Sequence, residues 1–180
     1  MKVARGPRLD AARALFREYA DWLGFSLCFQ DFEKELAGLP GRYAPPAGRI
    51  ILAREGIRWA GCVALRKHAK GVCEMKRMFV RPEFRGRGLG RRLAEAIVAE
   101  ARRIGYRSMV LDTVPKLRAA IDLYRSMGFR RIPPYCENPI RGALFMKLDL
   151  SDGTPSSAPS GTRRPRRATR SQPGRPISRG

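Results

Sequence analysis

The stretch from Val72 to Ile104 constrains this chain more than any other. Val72 to Val80 reads as a strand, and from Arg87 or Gly88 to Ile104 the apolar residues Leu89, Leu93, Ile97, Ala101 and Ile104 recur at helical spacing. Between them lies Arg81-Pro82-Glu83-Phe84-Arg85-Gly86-Arg87-Gly88-Leu89-Gly90-Arg91-Arg92. Three glycines on alternate positions admit the positive φ that a nest of N–H groups requires, and they let the backbone approach a ligand closely. The helix that starts there presents unpaired N–H groups and the positive end of its dipole. Together these features describe an anion site, and the arginines add charge. A Walker-type nucleotide loop would end in Gly-Lys-Ser/Thr, which is absent, and a dinucleotide fingerprint would need glycine where Arg91 stands. What remains is Arg85-x-x-Gly88-x-Gly90.

The flanking periodicities build a fold around this junction. Leu9, Ala12, Phe16, Tyr19 and Leu23 mark one face of a helix, and Phe29, Phe32, Glu33, Leu36 and Leu39 a shorter one closed by Pro40-Gly41. Arg49–Ala53 and Ile57–Leu65 flank Glu55-Gly56 as a hairpin. Ser108–Leu111 is a buried-type strand. A helix is expected from about Lys116 to Met127, with Pro115 near its start and Gly128 at its stop, and Ala143–Leu150 ends the domain as a strand. Two helices, three strands able to pair antiparallel, then helix, strand, helix and strand point to an α/β architecture, a mixed sheet with helices on both faces.

Composition sets the partners. The chain of 180 residues carries 37 basic against 16 acidic residues, a net charge of +21, which points to a ligand bearing phosphates. Its apolar fraction of 43% supports a real core, but no run approaches the roughly 18 apolar residues of a membrane span. The first residues lack a secretory h-region, so a cytoplasmic protein without membrane contact is expected. Cys28, Cys62, Cys73 and Cys136 form no C-x-x-C pair and His68 is the lone histidine, so reduced, mostly buried thiols and no metal are expected. His68, in Lys67–Gly71, reads as a solvated turn residue. Composition breaks at Leu150: residues 1–150 form one domain, and 151–180, with seven arginines and one aspartate among Ser, Thr, Pro and Gly, read as a disordered basic tail. That tail is either a solvated extension or a weak polyanion grip.

With the loop in view, the chain resembles the GNAT N-acetyltransferases, of the bacterial small-molecule type. Met78 to Gly90 is similar to that family's acetyl-CoA segment, and Ala120-Ile121-Asp122-Leu123-Tyr124-Arg125-Ser126-Met127-Gly128-Phe129 to its A-x-x-L-Y-x-x-x-G-F segment. The likeness runs from about Leu9 to Leu150. It implies the acyl-CoA N-acyltransferase fold and acetyl-CoA as cosubstrate. It also implies that the backbone of Met78, Phe79 and Val80 pairs with the pantetheine arm, and that N–H groups of Arg85, Gly86, Arg87, Gly88, Leu89, Gly90 and Arg91 hold the pyrophosphate. Tyr124 would be the general acid that returns a proton to the CoA thiolate. Glu74, a charged residue in an apolar strand, would be the base or a substrate contact. Many members carry asparagine where Leu117 stands here, so that contact to CoA is missing.

The resemblance implies direct attack of an amine on the thioester in a ternary complex. The acceptor side would be shaped by Trp22 to Phe32 and Pro133 to Pro139, with Tyr135 and Asn138 as substrate contacts. A strongly basic body disfavours polycations, so a small amino-acid-like or anionic amine is expected first, and a protein N-terminus or lysine second. Two readings compete with catalysis: a nucleic-acid-binding module that uses the basic tail, and a GNAT-like protein that binds acyl-CoA without turnover. Either a monomer or a homodimer fits.

Overall fold

The computed structural model of the chain describes residues 1–4, 6, 8–24 and 31–151. Cys28, Phe29, the middle of the Trp22–Phe32 segment and the expected tail from residue 152 onward lie outside the described residues. The elements run β1 (Lys2–Val3), α1 (Arg8–Leu23), α2 (Phe32–Ala37), β2 (Arg49–Glu55), β3 (Arg58–Ala69), β4 (Val72–Val80), α3 (Leu89–Ile104), β5 (Ser108–Thr113), α4 (Arg118–Ser126), β6 (Arg130–Ile132) and β7 (Leu144–Asp149), with 3-10 turns at Gly41–Tyr43 and Pro82–Phe84. Seven strands form one sheet in the order β1-β2-β3-β4-β5-β7-β6. Only β4 and β5 are parallel neighbours.

Strand alternation sorts the apolar residues into two cores. Ile51, Ala53, Val63 and Leu65 join Leu93, Ile97 and Ala101 of α3 and Tyr124 of α4 on one face. Ile50, Leu52, Cys62 and Ala64 join Leu15 and Phe16 of α1 and Leu36 of α2 on the other. The expected mixed sheet with helices on both faces is therefore the observed one. No described helix is long and apolar enough to cross a membrane.

Two departures matter for the site. First, β3 runs four residues beyond Leu65 to Ala69, so exposed His68 is a strand residue and not part of a turn. The polar run Arg66–Ala69 has no hydrophobic signal of its own. It is held extended by its ladder to β4, where Arg66 faces Glu74 and Lys67 faces Cys73, and the turn falls at Lys70-Gly71 instead. Second, β4 is bulged. Cys62 faces Phe79 and Ala64 faces Lys76, so Arg77 and Met78 share the place opposite Val63. Arg77 sits at φ 54°, a left-handed conformation that costs a non-glycine residue about 1–2 kcal/mol. The bulge reverses the phase of the strand: Cys73 and Met75 face the α3 core, but beyond the bulge Met78 and Val80 do so, and Phe79 turns to the α1 core.

The short elements β1 and β6 were invisible in the sequence, since two or three residues carry no period. They form as edge strands on β2 and β7.

Candidate active site

β4 and β5 pair only from Val72–Ser108 to Glu74–Val110, although β4 runs on to Val80 and β5 to Thr113. Beyond that point the two strands part. A cavity of about 450 Å3 is lined by Met78, Phe79 and Val80 of β4, the loop Phe84–Gly86, the first residues of α3, and Lys116–Ala120 and Leu123 around α4. Gly86 and Gly88 adopt φ of 76° and 71°, the positive values expected of a nest. Gly88 is the N-cap of α3 and provides no side-chain cap, so the first N–H groups of that helix stay open to an anion. Arg85 stacks its guanidinium 4.3 Å from the Trp22 ring centroid, and its Nε donates to the Val80 carbonyl at 3.0 Å. Lys116 donates to the Leu23 carbonyl. The end of α1 is thereby tied to both walls of the cavity.

Of the ten residues expected to hold the cofactor, Met78, Phe79, Val80, Arg85, Gly86, Gly88, Leu89 and Gly90 line this cavity. Arg87 and Arg91 are not among the lining residues. Arg87 lies over the Phe84 ring at 5.7 Å, and Arg91 donates to Ser126 Oγ at 2.7 Å. Leu117, which stands where the family usually has asparagine, is a lining residue.

A different construction occupies the sheet beside the cleft. Glu74 is 1% exposed, and both of its oxygens are in use. Oε2 accepts from Arg66 Nε at 2.6 Å, and Oε1 accepts from the Tyr135 hydroxyl at 3.1 Å with Lys76 Nζ 3.5 Å away. Lys76 Nζ also donates to Asp112 Oδ1 at 2.9 Å, and Asn138 Nδ2 donates to Asp112 Oδ2 at 2.9 Å. Lys76 and Asp112 thus join β4 to β5 by side chains where the backbone ladder has ended. Burial opposes the ionisation of both carboxyls. Burial is the largest single influence, but Lys76 and Arg66 together at Glu74, and Lys76 and Asn138 together at Asp112, outweigh it, and each carboxyl is held below the usual carboxylate range. Nearby, Arg77 makes a forked pair with Glu35 of α2 at 2.7 and 3.1 Å and lies over the Phe32 ring. That anchor fixes the bulge from outside the strand.

Tyr124 is buried, packs on Phe129 at a centroid distance of 5.6 Å, and is one residue along from Leu123 of the cavity wall. Burial pushes its hydroxyl well above the usual phenol range, with Tyr19 and then Asp112 adding to the shift. Burial likewise lifts Tyr19 to about 12, opposed by Arg77 and reinforced by Asp112. Tyr135 and Asn138 are brought to the buried carboxylates, whereas neither they, Glu74 nor Tyr124 line the cavity. Sequence reasoning missed Arg66, Lys76 and Asp112. Asp112 was detectable by the argument applied to Glu74, as a charge directly after the apolar run Met109-Val110-Leu111 and before Thr113-Val114. Cys62 and Cys73 are buried, and burial lifts Cys73 to about 12, which leaves it a poor nucleophile; Cys136 is exposed.

Known proteins resemble this chain in sequence and in fold. The profile of the acetyltransferase (GNAT) family matches residues 10–129. An uncharacterized N-acetyltransferase of Schizosaccharomyces pombe is 43% identical over 145 residues, covering 79% of this chain and 89% of its own. An IAA acetyltransferase of Azospirillum brasilense is 40% identical over 111 residues, covering 59% and 71%. A Klebsiella pneumoniae structure described as an acyl-CoA N-acyltransferase superposes with a TM-score of 0.65 at 27% identity, covering 83% and 97%. The Salmonella typhimurium protein YncA, solved with its cofactor acetyl-CoA, shares the fold with a TM-score of 0.63 at 23% identity, covering 88% and 99%. A parted parallel strand pair, a glycine nest at the head of α3 and a profile match over two thirds of the sequence agree: the chain belongs to the acetyltransferase (GNAT) family, the acetyl-CoA-dependent N-acyltransferases.

Proposed function

We propose that this protein transfers the acetyl group of acetyl-CoA to a primary amine by direct attack within a ternary complex. The observation that carries the reading is the cavity itself. One wall is the end of β4, where the parting of β5 leaves backbone groups of Met78–Val80 without a strand neighbour on that side. Such an edge suits an extended amide-bearing arm, which adds as a strand would. The arm would lead to the Gly86–Gly90 nest, where N–H groups suit a pyrophosphate. The Salmonella typhimurium neighbour holds acetyl-CoA in the same fold, which supports the assignment.

In this reading Tyr124 is the general acid. A phenol is neutral across the physiological range and carries a hydroxyl proton to give to a departing thiolate, and burial here makes it a weaker acid than a free tyrosine. Glu74 favours a positioning role over proton removal. Both oxygens are committed and two cations stabilise its charged form, so it is a weak base that orients Arg66, Lys76 and Tyr135. The acceptor amine, positively charged in water, gives one proton to bulk solvent before attack. As the amide forms its nitrogen gives up a second, which restores the Tyr124 phenol after that has protonated the CoA thiolate, and proximity in the ternary complex supplies much of the acceleration. No covalent enzyme intermediate is required.

Calorimetry of the full chain with acetyl-CoA, followed by amine-dependent release of free CoA thiol, tests the proposal. Micromolar binding with thiol release that needs an added amine is the expected result. A folded protein that binds no acetyl-CoA and is retained on RNA in a salt-dependent way would overturn it in favour of a polyanion-binding module.

A further inference from the structure

Resting on the acetyl-transfer reading above, we propose that the acceptor is a free amino acid whose carboxylate is taken by the guanidinium fork of Arg66. Four side chains from three adjacent strands form a row of alternating charge: Arg66 of β3, Glu74 and Lys76 of β4, and Asp112 of β5, joined at 2.6, 3.5 and 2.9 Å. The row is neutral within a chain of net charge +21. A ligand carrying only positive charge meets Arg66 and Lys76, and one carrying only negative charge meets Glu74 and Asp112. A ligand with both signs can match the alternation, which is how charge arrangement selects a partner without a net field.

Only one member of the row has capacity to spare. The side chains of Glu74, Lys76 and Asp112 are 2%, 7% and 8% exposed and Arg66 is 20% exposed. Arg66 uses Nε on Glu74, while Nη1 and Nη2 have no partner among the described residues. No buried side-chain nitrogen or oxygen lacks a partner there, so this fork opens to solvent. Two parallel N–H donors on a planar cation fit a carboxylate at both oxygens, and the bond that Nε makes to Glu74 fixes the plane in advance. The surroundings suit a small organic ion. His68 lies two residues beyond Arg66 in β3, Tyr135 meets it edge-on at 5.0 Å, and the Tyr135 hydroxyl reaches Glu74. From Arg66 the row leads along β4 and across to Asp112, at the point where the strands part and the amine would meet the thioester.

The test compares matched acceptors. CoA thiol release by the full chain is measured with α- and ω-amino acids, each beside its carboxamide, with cadaverine beside lysine, and with a peptide bearing a free N-terminus. At least one amino acid is expected to be acetylated with kcat/KM about tenfold or more above its carboxamide, since two charge-assisted bonds are lost with the carboxylate. Arg66→Lys keeps a counter-charge for Glu74 but removes the fork. It is expected to raise KM for that amino acid about tenfold, to bring the amino acid and carboxamide close to parity, and to leave the acetyl-CoA Kd unchanged. Equal turnover of the carboxamide, the diamine or the peptide by the wild type overturns the proposal, whether or not the variant folds. So does an Arg66→Lys protein of unchanged selectivity. Acetyl-CoA binding with no amino acid turned over overturns it and leaves acetyl transfer standing, whereas failure to bind acetyl-CoA removes both.

Discussion

The two sides of the β4–β5 cleft are built from different materials. On the side proposed for the cofactor the available groups are in the backbone, at the Gly86–Gly90 loop and along Met78–Val80, with Arg85 and Lys116 tying the walls to the end of α1. On the other side they are in side chains, Arg66, Glu74, Lys76 and Asp112, brought together from three adjacent strands. A backbone site needs glycines at a few neighbouring positions and so is contiguous in sequence. A side-chain site needs strands in register and is scattered. The first suits a cosubstrate shared by a whole family, and the second can be altered residue by residue to choose an acceptor.

That contrast can be broken experimentally. The largest effect is expected at Gly88→Glu, where a side chain at φ 71° costs about 1–2 kcal/mol and a carboxylate enters an anion site. Calorimetry should detect no acetyl-CoA binding, with turnover lost as a result. Lys76→Met is the counterpart on the charged side. It leaves Asp112 buried without its cation, and a loss of about 3 kcal/mol is expected, read as a drop of about 6–12 °C in Tm. Acetyl-CoA binding should be retained. The pH dependence carries a sign. Both carboxyls lie below their ordinary range in the fold, so their contribution is complete above the unfolded values of about 4 and is lost as pH falls through the folded ones. The gap between wild type and variant in thermal melts should therefore close on acidification.

Tyr124→Phe is expected to lower kcat about 100-fold with acetyl-CoA affinity unchanged. A change of less than about twofold would mark a protein that binds acyl-CoA without depending on this acid. The smallest effect is expected at the cavity mouth, where Trp22→Leu removes the stacking partner of Arg85 and should change the acetyl-CoA Kd by about two- to fivefold. A larger change would mean that the cofactor side depends on side chains after all.

Much of the frame was legible from local pattern. The stripe Leu89, Leu93, Ile97 and Ala101 is a helix wherever it lands, and the four residues are buried together in one core as expected. Ala12, Phe16 and Leu23 likewise follow from the period of α1, whereas Leu15, buried beside them, lies outside the expected stripe. Helix α4 begins at Arg118 and not at Lys116, because residues 114–117 close a turn of their own, Leu117 N–H donating to the Val114 carbonyl at 3.0 Å, and Leu117 at ψ 53° is the non-helical N-cap. Glu74 stands out in the sequence as a charge among apolar neighbours and the same signal marks Asp112, whereas nothing local singles out Arg66 or Lys76.

The sequence by itself determined the glycine nest, the amphipathic helices and the α/β class, because each depends on residues a few positions apart whose spacing matches a helix, a strand or a turn. Only the tertiary structure decided the charged row. Lys76 and Asp112 lie 36 residues apart, and Arg77 and Glu35 lie 42 apart. They meet through register, and register has a period of two, so a shift of one residue sends every side chain of a strand to the opposite face. The bulge at Arg77 makes such a shift within β4. Lys76 stays on the charged face, while Met78 and Val80 turn to the α3 core. Nothing local in Lys76-Arg77-Met78 announces that change of phase. Glu35 and Phe32, arriving from α2, hold it in place.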